Sequence, residues 1–142
     1  MKVKDIMTKD VVCMRESDPV KRAAELMSMY DVGSIPVCFN EKVVGVVTDR
    51  DIAVRSVASG HNGNVGEIMS TDVQVGYPEM DVHDAARIMS EKQIRRLPIE
   101  ENGALVGIVA LGDLSDKPEL QDNAGWALRN ISMPEGSDMT NQ

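Results

Sequence analysis

Apolar and polar positions follow two rhythms along this chain, and the whole succession of rhythms occurs twice. Val20, Ala23, Ala24 and Met27 fall at i, i+3, i+4 and i+7, which predicts one buried face of an α-helix. Ser17-Asp18-Pro19 just ahead supplies capping side chains and a proline suited to a first helical turn. The paired alanines imply close approach of a neighbouring element. Residues 35–39 and 43–47 then read as two strands around Asn40-Glu41, and a second helix is expected from Thr48 to about Ser59. Ahead of the first helix lie a short amphipathic segment at 3–7, a polar step and a short strand at 11–14. The order then returns. An amphipathic segment at 65–69 and a strand at 73–75 precede a helix on Val82, Ala85, Ala86 and Met89, with Asp81 as its cap. Strands at 97–99 and 105–109 flank Asn102-Gly103, a strong hairpin signal. The last helix starts near Leu111 and is cut short around Asp116-Lys117-Pro118.

Residues 3–52 and 65–114 align at a constant offset of 62 without a gap, and sixteen of the fifty positions are identical. A register kept over that length means two copies of one structural unit, each β-α-β-β-α, and so an α/β (α+β) fold. A unit of roughly 60 residues buries little surface alone, so two pseudo-symmetric repeats packed as one module are expected. The expected boundaries are 1–59 for the first repeat, 60–64 for a linker, 65–115 for the second repeat and 116–142 for a short helical, partly flexible tail. In the tail, Leu120, Ala124, Ala127, Leu128 and Ile131 fit a helical stripe. The glycines Gly60, Gly63 and Gly66 do not form a phosphate loop, because no Gly-Lys-Ser/Thr follows them.

Charge narrows the functions. Of 142 residues, 23 are acidic and 15 basic, a net charge of −8. That balance repels a phosphate backbone and an anionic membrane surface, so neither nucleic acid nor membrane is expected as a partner. A small anion needs only a local positive pocket and stays open. Cys13 and Cys38 lack the C-x-x-C spacing of a zinc or redox site and read as two buried reduced thiols. The first ten residues carry no apolar run, and a cytoplasmic protein is expected. His61 and His83 are the only histidines, so no Ser-His-Asp arrangement and no paired metal ligands can be argued. A non-enzyme without metal is expected.

The most specific local string is Gly45-Val46-Val47-Thr48-Asp49-Arg50-Asp51-Ile52, which runs off a strand into a helix N-terminus. Free backbone N–H groups there favour an anion. Thr48 adds a hydroxyl, and Asp51 could accept two hydrogen bonds from a ribose diol. The same spacing is also close to a capping box. In the second copy Thr48 becomes Ala110 while the carboxylate persists as Asp113. A carboxylate kept without its capping partner suggests another job for it. Arg95-Arg96 stands where the first copy has Gly33-Ser34. Such a pair is either a solvated strand edge or a phosphate-binding pair, which guanidinium geometry suits.

The order short helix, strand, helix, hairpin and GVVTDRDI resembles the CBS domain, and two in tandem resemble a Bateman module, over about residues 3–115. The likeness extends to stand-alone bacterial two-CBS proteins. It implies a non-enzymatic regulatory module that binds an adenosyl ligand (AMP, ADP, ATP or S-adenosylmethionine) in clefts between the repeats, with no obligatory cofactor. It also implies a homodimer and a regulated protein partner. By the resemblance, a stronger cleft combines Thr48, Arg50 and Asp51 with Ser70, Val73, Arg95, Arg96 and Leu97. A weaker cleft combines Gly112 and Asp113 with Thr8, Val11, Gly33, Ser34 and Ile35. The weaker one lacks the hydroxyl at Ala110 and the arginines, which leaves it empty or suited to a less charged ligand. A purely structural dimerisation module without a physiological ligand is the alternative.

Overall fold

The computed structural model describes residues 1–60 and 63–115. The expected tail helix and the middle of the linker lie outside these residues. The elements are a 3-10 turn at Val3–Asp5, α1 (Val20–Tyr30), β1 (Ser34–Phe39), β2 (Lys42–Thr48), α2 (Asp49–Asp51) running into a π-helical turn at Ile52–Val57, α3 (Val65–Ile68), α4 (Val82–Lys92), β3 (Arg96–Glu101), β4 (Ala104–Ala110) and α5 (Leu111–Ser115). β1 pairs with β2 and β3 with β4, giving two small sheets. The fold is thus mixed helix and strand. The expected strands at 11–14 and 73–75 do not form. In the first segment only Met14 meets the edge of its sheet, by a parallel bridge to Val37; the second makes no bridge, and Gly76 just beyond it bridges Ile99.

Two compact units divide the chain, and they do not follow the repeats. Among the described residues, one comprises Asp10–Val73 with Glu100–Val106; the other comprises Met1–Lys9, Gln74–Ile99 and 107–115. The leading segment of each repeat is therefore exchanged. In the first-named unit, α3 follows Asp18: Val65 N–H donates to Asp18 O at 2.8 Å and Gly66 N–H to Glu16 O at 3.0 Å. In the other, the 3-10 turn follows Met80: Val3 N–H donates to Met80 O at 2.8 Å and Lys4 N–H to Pro78 O at 2.9 Å. These are the same bonds displaced by the repeat offset.

Each unit has its own core. Met14, Val20, Ala23, Leu26, Met27, Ile35, Val37, Val47, Val65 and Ile68 cluster in the first. Val3, Met80, Val82, Ala85, Ala86, Met89, Leu97, Ile108, Val109 and Leu114 are buried in the second. The helical stripes fall where the periodicity puts them, with one exception: Ala24 is exposed although its counterpart Ala86 is buried. Close approach at the paired alanines is therefore a property of α4 alone. The caps differ as well. Asp81 accepts from His83 N–H at 2.8 Å, as expected. Asp18 instead accepts from Arg15 N–H at 2.9 Å, within the preceding turn, and the α1 N-cap position falls to Pro19, which has no side chain to offer.

Candidate functional site

The entrance to α2 is built on β2. Glycine at 45 lets Met69 lie across that strand, since a Cβ there would stand 2.4 Å from Met69 Sδ. The next turn of chain then pairs Ser70 with Val46 through two backbone hydrogen bonds of 2.9 Å. Thr48, extended at φ −114 and ψ 163, ends the strand and caps the helix. Its Oγ1 accepts from Asp51 N–H at 3.0 Å, and its own N–H donates to Asp51 Oδ2 at 3.0 Å. The capping box is complete. Ser70 Oγ lies 3.5 Å from the same Oδ2. Asp51 Oδ1 faces Arg55 Nε at 3.7 Å, an ion pair longer than a hydrogen bond. The Asp51 side chain is only 8% exposed, so these donors offset the cost of burying a polar group. Arg55 also reaches Ile68 O at 3.4 Å, which ties the helix back to α3.

The entrance to α5 repeats the scaffold. Thr8 pairs with Ile108 through bonds of 2.8 and 2.9 Å. Ala110 N–H donates to Asp113 Oδ2 at 3.0 Å, although the residue has no hydroxyl. Asp113 thus keeps the backbone half of the capping bond without a capping hydroxyl. Its retention is explained by the helix start and does not by itself indicate another role. Leu111 N–H donates to Arg95 O at 2.8 Å, as Asp49 N–H donates to Gly33 O at 2.9 Å in the other unit. Arg96 shares this unit with Asp113. Its guanidinium is half-buried, and its Nε is buried without a hydrogen-bond partner among the described residues. Burial lowers its affinity for the proton, and the Asp113 charge partly offsets that.

The expected residues therefore separate as follows. Thr48, Asp51 and Ser70 meet in one unit, with Arg50 exposed beside them and Val73 half-buried. Arg95, Arg96 and Leu97 belong to the unit that holds Thr8, Gly112 and Asp113. Val11, Gly33, Ser34 and Ile35 belong to the unit of Asp51. Ser34 pairs with Thr48 across the hairpin, and a Cβ on Gly33 would stand 3.1 Å from Asp49 Oδ2. Ile35 and Leu97 are 1% and 0% exposed, so their side chains serve the cores. Arg55 escaped notice in the sequence, although its i, i+4 spacing from Asp51 is the signal for an ion pair on a helix. Among the described residues no cluster of His, Cys, Asp and Glu could hold a metal ion, and no helix is long and apolar enough to cross a membrane.

The family model for the CBS domain matches twice, at residues 3–57 and 65–118. The chain belongs to the CBS-domain family. The CBS domain-containing protein YhcV of Bacillus subtilis is 46% identical over 132 residues, covering 92% of this chain and 94% of the relative. The CBS domain pair of protein MJ0100, solved in complex with 5′-methylthioadenosine and S-adenosyl-L-methionine, is 27% identical with a TM-score of 0.74; the match covers 82% of this chain and 94% of that one. CBSX2, solved in complex with AMP, is 30% identical with a TM-score of 0.69, over 79% of this chain and 91% of that one.

Proposed function

We propose that this CBS pair is a non-enzymatic sensor of an adenosyl ligand, AMP, ADP, ATP or S-adenosylmethionine. The observation that carries the reading is the buried Asp51 carboxylate at a helix entrance, flanked by the Ser70 hydroxyl and with Oδ1 held, among the described residues, by a long ion pair to Arg55. A ribose diol donating to Oδ1 would complete its hydrogen bonding without disturbing the cap on Oδ2. Two solved CBS pairs of the same fold hold adenosyl compounds, which supports the ligand class. The signal would pass to a protein partner if the ligand binds two states of the chain, or of a homodimer, with different affinity. A cytoplasmic setting fits this role.

A second reading has an observation of its own. Thr48 and Asp51 already satisfy each other, so the motif can serve as a helix start in a dimerisation module without ligand. Thermal denaturation with each of the four ligands separates the two, because a ligand that binds only the native state raises stability. The sensor reading expects a raised Tm with at least one ligand, lost in Asp51→Asn. Asn keeps one oxygen for the Thr48 N–H, so the helix start survives. No shift at several millimolar ligand leaves the dimerisation module.

A further inference from the structure

The chain has two cysteines, and the fold brings them together. Met14 bridges β1 at Val37: Met14 N–H donates to Pro36 O at 2.9 Å, and Cys38 N–H donates to Met14 O at 2.8 Å. Side chains alternate faces along an extended segment. Met14 and Val37 both point into the core, at 2% and 0% exposure. Cys13, one residue before Met14, and Cys38, one residue after Val37, therefore share the opposite face. Cys13 is exposed and Cys38 half-buried, where the sequence predicted two buried thiols. The Cys13 thiol lies near enough to Cys38 to help raise the affinity of Cys38 for its proton. The register of β1 on β2 also slips beside Cys38, leaving Val44 without a partner. The second repeat has Val75 and Glu100 at the matching positions, so this chemistry belongs to one unit alone.

We propose that Cys13 and Cys38 are a covalent modification site, a dithiol that oxidises to an intramolecular disulfide by exchange with a small-molecule disulfide. The exposed Cys13, as thiolate, attacks one sulfur of that molecule. An S–S bond forms to Cys13, and the other half leaves as a thiolate. Cys38 then loses its proton and attacks the Cys13 sulfur, expelling the second half as a thiolate. The small disulfide takes up two electrons and becomes two thiols; the protein loses two hydrogens. Burial, with the Cys13 thiol and the Glu100 carboxylate adding to it, pushes the Cys38 thiol up to about 12. The second step is therefore slow at neutral pH and speeds up about tenfold per pH unit. The same high basicity makes Cys38 a poor leaving group, so the disulfide once formed resists reduction.

The test is incubation of the full chain with oxidised glutathione, followed by intact-mass spectrometry and a non-reducing gel. The proposal expects a monomeric product two hydrogens lighter than the reduced chain, without free thiol after denaturation. Cys38→Ser should instead accumulate a stable glutathione adduct on Cys13. Cys13→Ser, altered at an exposed position, should fold normally and keep its remaining thiol unmodified at neutral pH. Wild-type protein that keeps both thiols, stops at a Cys13 adduct or links two chains would overturn the assignment.

Discussion

The entrances to α2 and α5 share a backbone and differ in chemistry. In both, an aspartate accepts from the last N–H of a strand, at 3.0 Å, and the first helical N–H donates to the carbonyl of the residue just before the partner strand. At α2 that frame carries the Thr48 hydroxyl, Ser70 and Arg55 around Asp51. At α5 the hydroxyl is missing, and a half-buried Arg96 stands in the same unit as Asp113. The shared part is what starting a helix requires. The unshared part is where the copies were free to diverge, and apart from the Thr48 hydroxyl it holds polar groups that the helix start does not use.

The largest expected effect tests the frame itself. Gly45 and Gly107 are crossed by Met69 and Met7. A Cβ at Gly45 would meet Met69 Sδ at 2.4 Å, whereas one at Gly107 would meet Met7 Sδ at 2.6 Å and Thr8 O at 3.0 Å. A thioether can swing aside, but a backbone oxygen tied into the Thr8–Ile108 pairing cannot. Gly107→Ala should cost about 2–3 kcal/mol and Gly45→Ala about 1 kcal/mol, as overpacking does. Urea denaturation measures both. Equal costs would mean that the crossing methionine, not the exchanged backbone, sets the fit.

That exchange marks the limit of what the sequence carries. Val3, Ile6 and Met7 match Val65, Ile68 and Met69, so either leading segment suits either hairpin, and no pattern of identities says which one it meets. The helices were legible because a 3.6-residue stripe is local, and Asn102-Gly103 was legible because a tight turn states its own dihedrals. The strands at 11–14 and 73–75 were overread. A short apolar run looks the same whether one residue or four join a sheet. At the site, Thr48 and Asp51 stood out by spacing. The distinction between a cap and a ligand group did not, because Ala110 still donates through its backbone. The nearness of Cys13 and Cys38 depends on one long-range bridge and leaves no trace in their spacing.

A smaller effect tests the difference between the entrances. Thr48→Ala turns the α2 entrance into the α5 form and should cost about 1 kcal/mol, the typical value of a lost N-cap oxygen. Ala110→Thr does the reverse. Residue 110 is half-buried and its N–H already meets Asp113, so the added hydroxyl should recover some of that amount, about 0.5 kcal/mol. Paired denaturation curves measure the two changes. If Thr48→Ala proves neutral, the α2 capping box is not what holds this helix start, and the Thr48 hydroxyl is free for a ligand.

The smallest effect lies at the hairpin tips. Asn40 and Glu41 have φ of 50 and 70; Asn102 and Gly103 have 53 and 79. Both tips place two consecutive residues in the left-handed region, the requirement of a two-residue turn whose twist matches its strands. Glycine meets that requirement at 103 without cost, whereas Glu41 bears a side chain where L-residues lose roughly 1–2 kcal/mol. Glu41→Gly removes that strain but gives the unfolded chain more freedom, worth roughly 0.5–1 kcal/mol against it. The net expectation is a gain of under about 1 kcal/mol, seen as a higher urea midpoint at unchanged slope. The Glu41 carbonyl, which accepts from Leu105 N–H at 2.8 Å, is untouched by the change. A lower midpoint would therefore assign a stabilising role to the Glu41 side chain itself, and the two tips would then differ in chemistry as the two helix entrances do.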